Sequence, residues 1–169
     1  MAESRRTRPL ATLLLAAWVL LLAGCGFQLR GSDALPSAVQ RLHLSGDGLG
    51  MTFGGVLREQ LTAAGAVLVA EPGVADARLL LSGFAESRRT LSFNTAGEVH
   101  EAELSARVTL RVVDADGDEL LPERTIEARR ELRVDSGGPV EITAEEQRLR
   151  EELLRDLADQ LRRQLAAAG

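Results

Sequence analysis

The most regular pattern in the chain runs from residue 98 to residue 114, and it limits the fold more than any other stretch. Small or apolar residues alternate there with charged or hydroxyl residues. The apolar set is Ala102, Leu104, Ala106, Val108, Leu110 and Val112. The polar set is Glu101, Glu103, Ser105, Arg107, Thr109 and Arg111. Because successive side chains of a strand point to opposite faces, the pattern predicts a long strand with one face on a core and the other toward water or a polar partner.

Turn signals flank this strand on both sides. Asn94-Thr95-Ala96-Gly97 precedes it and Asp116-Gly117 follows it, and both stretches are rich in residues that favour tight turns. The alternation upstream begins near Ala75 and continues to about Phe93. Downstream, residues 124–134 alternate as well, although Arg130 interrupts their apolar row. We therefore predict an antiparallel meander of three strands.

The segment before the meander predicts a strand followed by a helix. Residues 39–45 alternate imperfectly, and residues 51–64 carry apolar side chains at helical spacing. The glycine-rich stretch between them, residues 46–50, does not match the Gly-x-Gly-x-x-Gly fingerprint of nucleotide-binding loops. We expect that stretch to be a flexible connection into the helix.

The segment after the meander predicts a long helix over residues 144–167. Leucine recurs there at every fourth position from Leu149 to Leu165. Thr143 is the predicted N-cap, and Glu146 is placed to complete a capping box. The leucine stripe is expected to cover the sheet.

This order of elements, β-α-β-β-β-α, predicts an α+β fold. We expect a two-layer sandwich in which two helices pack on one face of a roughly four-stranded, mostly antiparallel sheet. The other face of the sheet is expected to stay uncovered.

The amino terminus has the features of a bacterial lipoprotein signal. Arg5, Arg6 and Arg8 precede an apolar run over residues 10–23 that is too short for a comfortable membrane span. The run ends in Leu-Ala-Gly-Cys, which resembles the lipobox, so Cys25 is the predicted site of lipidation. We divide the chain into a signal peptide (1–24), a lipidated tether (25–38) and a single α+β domain (39–169). Several acyl chains would anchor the domain stably to a membrane surface.

The charge of the chain argues against nucleic-acid binding. The whole chain has 20 basic and 25 acidic residues, of which three and one lie in the leader, so the mature chain has 17 against 24. Such an acidic balance does not suit a polyanionic partner bound through charge alone. Cys25 is the single cysteine, so no disulfide is expected within the chain.

The sequence contains no recognisable catalytic grouping. Its two histidines, His43 and His100, lie in or beside predicted strands, and most carboxylates stand opposite arginines on predicted helix or strand faces. We predict that the protein is not an enzyme and needs no cofactor or metal. A lipid-anchored hydrolase with paired carboxylates is a weaker alternative.

The stretch Cys25-Gly26-Phe27-Gln28-Leu29-Arg30-Gly31 resembles the mature amino terminus of the LPS-assembly lipoprotein LptE family. The order and spacing of Pro36, the helix ending near Ala64-Gly65, the hairpin with Phe93 and Gly97, and the final helix are also similar to that family. The resemblance implies an outer-membrane lipoprotein that plugs an LptD-type β-barrel in a 1:1 complex and helps to deliver lipopolysaccharide. The alternative is an accessory lipoprotein of another envelope lipid-transport complex.

The resemblance also suggests where partners would bind. Arginines suit lipopolysaccharide phosphates, and the candidates are Arg88, Arg89, Arg129, Arg130 and Arg133. The candidate contacts with the barrel are Phe93, Asn94 and Gly97. The alternative for the arginines is that they pair with neighbouring glutamates.

Overall fold

The computed structural model describes residues 35–134 and 139–168. After a single 3-10 turn at Ser37–Val39, the helices and strands follow in chain order. They are β1 (Arg41–Gly46), α1 (Thr52–Ala63), β2 (Val67–Leu68), β3 (Ala77–Phe93), β4 (Val99–Asp114), β5 (Glu119–Arg133) and α2 (Pro139–Ala166).

The strands form one mixed sheet in the order β2-β1-β3-β4-β5. β1 runs parallel to both β2 and β3, and β3, β4 and β5 form the predicted antiparallel meander. The predicted two-layer α+β fold is therefore confirmed. The sheet has one strand more than the roughly four expected, because the two residues of β2 pair with the outer side of β1.

The two helices pack on the same face of the sheet, which we call the covered face; the opposite side is the open face. α1 buries Phe53, Leu57 and Leu61 there. α2 buries the leucine stripe predicted from the sequence, at residues Leu149, Leu153, Leu157, Leu161 and Leu165. From the sheet, the alternating apolar residues of β4 complete this core.

The glycine-rich stretch after β1 is packed against β3 and is not the flexible connection expected. Gly46 has φ +110°, and a Cβ at this position would lie 1.8 Å from the carbonyl oxygen of Leu81. Asp47 accepts a hydrogen bond of 2.8 Å from the N–H of Gly83, at the point where β3 bulges. The next residue, Phe84, stacks on Phe53 of α1 with ring centroids 4.9 Å apart. Close backbone approach is what requires glycine here.

The start of α2 differs from the prediction. The helix begins at Pro139 instead of near Ala144, so Thr143 lies inside the helix and the capping box is wrong. Proline is well tolerated in the first turn of a helix because the N–H that it lacks has no intrahelical partner there. Glu146, the predicted partner in the box, instead pairs with Arg88 of β3.

β5 begins five residues earlier than residue 124, the predicted start, and includes Pro122. Pro122 lies between Leu121 and Arg124, where the pairing with β4 shifts register, on the last strand of the sheet, and proline is tolerated at bulges and on edge strands. Proline within a run normally argues against a central strand. In an edge strand, a proline is tolerated.

Candidate functional site

The tip of the β3–β4 hairpin is built around Asn94. Its side-chain Oδ1 accepts hydrogen bonds from the N–H groups of Ala96 and Glu98, at 3.0 and 2.9 Å. Its backbone N–H donates to the carbonyl oxygen of Glu98 at 2.8 Å, and Gly97 closes the turn with φ +81°. Asn94 and Gly97 therefore build the turn that the sequence predicted, and their role as barrel contacts stays a prediction.

Apolar side chains are exposed close to this turn. Phe93 is 65% exposed at the end of β3, and Leu91 is 42% exposed two residues earlier. Single exposed apolar residues are ordinary on protein surfaces, but here two of them lie two residues apart at the end of β3. Phe93 is thus exposed, and its role as a barrel contact stays a prediction.

The register of the sheet divides the five candidate arginines between its two faces. Arg88, Leu104 and Arg130 are directly opposite one another on β3, β4 and β5, and therefore lie on the covered face. Arg88 pairs with Glu146 of α2 at 3.3 Å, and Arg130 forms an ion pair with Asp156 of α2. Arg130, which interrupts the apolar row of β5, thus connects the sheet to α2.

The other three arginines lie on the open face, where they pair with glutamates of the same sheet. Arg89 reaches Glu103 at 3.1 Å. Arg129 donates to Glu127 at 2.9 Å. Arg133 lies 3.7 Å from Glu101 and 3.8 Å from Glu131. The sequence suggested two groups, Arg88 with Arg89 and Arg129 with Arg130 and Arg133. The structure instead places Arg88 and Arg130 on the covered face. The other three lie on the open face.

Electrostatic interactions on the open face stabilise the charged forms of Glu127 and Arg129. The hydrogen bond from Arg129 lowers the pKa of the Glu127 carboxyl, and more distant attraction from Arg107 adds to this effect. The same bond with Glu127 raises the pKa of Arg129. Hydroxyl pairs lie between the charges, at Ser87–Ser105 and Thr109–Thr125, each with 2.8 Å between oxygens. The open face is consequently a ladder of charged and hydroxyl side chains.

Sequence reasoning missed a second contact between β3 and α2. Arg150 of α2 donates to both carboxylate oxygens of Glu86, at 2.5 and 3.0 Å, and this hydrogen bonding raises the pKa of Arg150. Glu86 and Arg88 alternate on β3 while Glu146 and Arg150 are four residues apart on α2, so the spacing was visible in the sequence. The sequence did not show which strand faces α2.

The opposite end of the sheet carries a shallow groove of about 770 Å³, lined by residues that include Arg41, Asp76 and Asp116. Arg41 donates to the Asp76 carboxylate at 2.6 and 3.0 Å, and these bonds lower the pKa of Asp76.

Within residues 35–134 and 139–168, no group of three or more histidine or acidic side chains could hold a metal ion. No helix of this described part is long and apolar enough to cross a membrane. The arrangement offers binding surfaces, and Cys25, the predicted lipidation site, lies outside the described residues.

Comparison with known proteins gives a consistent family. Residues 37–165 match the family model described as LptE, lipopolysaccharide-assembly. The chain is 32% identical to the LPS-assembly lipoprotein LptE of Photorhabdus laumondii, with 89% of this chain and 84% of that protein covered. It is 31% identical to the protein of the same name from Yersinia pestis, with 91% and 74% covered.

Solved structures agree with the sequence relatives. The chain is similar to the uncharacterised lipoprotein B of Nitrosomonas europaea, with a TM-score of 0.70 and 29% identity over 84% of this chain and 91% of that one. It is also similar to the rare lipoprotein B of Shewanella oneidensis, with a TM-score of 0.64 and 26% identity over 75% and 94%. Both share the sandwich of helices on one sheet face.

Proposed function

The chain belongs to the LptE family of lipopolysaccharide-assembly lipoproteins, and from this premise we propose that it plugs and supports an LptD-type outer-membrane β-barrel in a 1:1 complex. The family is one of non-enzymatic lipoproteins with a role in lipopolysaccharide assembly. The proposal adds the barrel partner, the outer-membrane address and a direct contact with lipopolysaccharide.

The observation that carries the proposal is the polar open face of the sheet, which neither helix of the described residues covers. The lumen of a large outer-membrane barrel is polar, so a domain inside it needs a polar surface. The open face supplies this along most of the meander, with glutamates, arginines, serines and threonines in register and Leu80 as an apolar exception. A face of this kind would gain little from an apolar partner.

The length of the meander supports the same proposal. β3 has 17 residues, which at about 3.3 Å per residue is roughly 55 Å, whereas the apolar band of a barrel is about 25 Å tall. Leu35, where the described chain begins, donates its N–H to Ala64 at the end of α1, at 3.4 Å. That position is close to the start of β1 and far from the hairpin tip. A domain held at one end could therefore extend Phe93 through the height of the lumen.

The candidate lipopolysaccharide contacts divide by face in this proposal. Arg89, Arg129 and Arg133 pair with glutamates on an exposed surface, where ion pairs contribute little and exchange readily for a phosphate. Arg88 and Arg130 are engaged with α2. We therefore favour the open-face arginines as the lipopolysaccharide contacts and the covered-face pair as structural residues.

The experiment that tests the barrel partner is purification from membranes. A tag is placed at the carboxyl end, Cys25 is kept intact, and outer membranes are extracted with mild detergent. We expect a large β-barrel protein of the LptD type to copurify in equal stoichiometry, and Phe93→Glu to reduce its recovery more than the control Glu123→Gln does. Recovery of other envelope proteins without a barrel would favour an accessory role in another lipid-transport complex.

A further inference from the structure

Among residues 35–134 and 139–168, β5 is the outer strand of the sheet on the side of the meander, and one side of its backbone has no strand partner there. In an antiparallel ladder, alternate residues direct their N–H and C=O groups to opposite sides. Val134, just after β5, donates its N–H to the carbonyl oxygen of His100 in β4 at 2.8 Å. The even-numbered residues of the paired segment thus bond to β4, and Glu127, Arg129, Glu131 and Arg133 direct their backbone groups outward. Such an edge is a template for a further strand.

Side chains from the covered face occupy the middle of this edge. Gln160 of α2 donates its amide to the carbonyl oxygen of Glu127 at 3.3 Å. Arg130 donates to the carbonyl oxygen of Arg129 at 2.8 Å while its other guanidinium nitrogen pairs with Asp156 of α2. Both acceptors are outward-directed carbonyls, the groups that a pairing strand would need.

The α2 residues involved form one stripe on the helix. Asp156, Gln160 and Gln164 are spaced by four residues, so they lie on one side of α2 along the length of β5. Gln164 accepts a bond of 2.5 Å from Arg124 of β5, further along the strand. We call this set, with Arg130, the edge clamp.

The side chains of the open edge favour one particular partner strand. Glu127, Arg129, Glu131 and Arg133 alternate in sign on the open face. A second copy of β5 in antiparallel orientation would place Glu127 opposite Arg129, or Arg129 opposite Glu131, depending on register. Opposite charges directly across an antiparallel pair are stabilising and like charges are not. The strand that best matches the β5 edge is therefore β5 of another molecule.

We propose that the edge clamp is an autoinhibitory contact that keeps the β5 edge from pairing with a second copy of the chain. Gln160 and Arg130 satisfy the two central outward carbonyls from within the molecule. The domain therefore stays monomeric, although the β5 edge is complementary to the β5 edge of a second copy. The proposal concerns only this edge and does not depend on the barrel partner.

The test compares the mature lipidated chain in mild detergent with variants at matched concentrations, by light scattering that separates protein mass from detergent. R130L/Q160A removes both caps. The control R155L/Q147A makes the same changes on exposed positions of α2 away from β5. We expect self-association of R130L/Q160A about tenfold tighter than that of wild type, the ratio expected for about one net hydrogen bond restored to the edge, and no change in the control.

A second comparison separates strand pairing from association through the new leucine. Adding E127R and E131R to R130L/Q160A makes all four outward side chains arginines, and we expect the variant to return to a monomer. Q160A alone removes an exposed amide and leaves the core intact, so it tests the clamp even where R130L lowers stability. The proposal is overturned if Q160A and R130L/Q160A stay monomeric while folded, or if the dimer persists with E127R/E131R.

Discussion

The covered and open faces of the meander are made by the same three strands, yet their charged residues differ in what they do. On the covered face, Glu86, Arg88 and Arg130 each pair with a residue of α2 and so fix the helix to the sheet. On the open face, Arg89 and Arg129 pair with glutamates of neighbouring or the same strands. A charge on the first face is therefore part of the tertiary structure, whereas a charge on the second is available for exchange with a partner.

The largest difference between the faces is expected in stability. Leu157→Ala removes a fully buried side chain from α2 over the covered face, and we expect a loss of about 2 to 5 kcal/mol in the free energy of unfolding. The matched change Leu80→Ala removes the same atoms from the open face, where Leu80 is 36% exposed, and should cost about 1 to 2 kcal/mol. Urea unfolding followed by circular dichroism measures both. Equal losses would mean that the open face is also packed.

The next difference concerns lipopolysaccharide, and it separates the arginines by face. We expect R89E/R129E on the open face to weaken binding of fluorescently labelled lipopolysaccharide by about tenfold, since reversing exposed charges changes each interaction by up to roughly 1 kcal/mol. R88E, on the covered face, should leave binding within about twofold of wild type. On the exposed side of α2, R155E matches the charge change of R88E, and R148E/R155E matches that of R89E/R129E. A larger effect of R88E would move the binding site to the covered face.

The smallest difference is expected on acidification. The pKa of Glu127 is lowered by its bond from Arg129, and that of Asp76 by its bonds from Arg41. The stability that each group adds is present above the usual carboxyl range of about 4 and is lost as the pH falls through the lowered value. Melting temperatures measured from about pH 6 to pH 3 should fall less for Glu127→Gln than for wild type. The contrast should shrink in high salt, because both carboxylates are exposed.

How much of this could be predicted from the sequence depends on whether an element is determined locally. Alternation and turn residues were sufficient for β3, β4 and β5, because one face of each strand had to be apolar. The two residues of β2 have no period of their own and become a strand only because β1 offers an edge. The start of α2 was misplaced because Thr143 and Glu146 match a capping box, whereas the helix begins four residues earlier, at Pro139.

The candidate site was less predictable for a related reason. The sequence selected the five arginines and the residues of the hairpin tip, but the roles of Arg88 and Arg130 depend on which strands lie under α2. The contact between Gln160 and the carbonyl oxygen of Glu127 joins residues 33 positions apart. No local pattern predicts a contact of this kind, whereas the strand register and the helix position together determine it.

The parallel pairing of β1 with β3 has a consequence for the order in which the chain folds. His43 lies opposite Arg78 in this pairing, 35 residues later in the chain, whereas the β3–β4 turn is closed by neighbours. Contacts between distant residues form slowly because the intervening loop must first be ordered. During synthesis β1 emerges before any of its partners in the meander, with apolar side chains such as Leu42 still exposed. β1 is thus made well before the strand that it pairs with in the meander and is among the last elements to find its place, so it depends on protection from aggregation until β3 is complete.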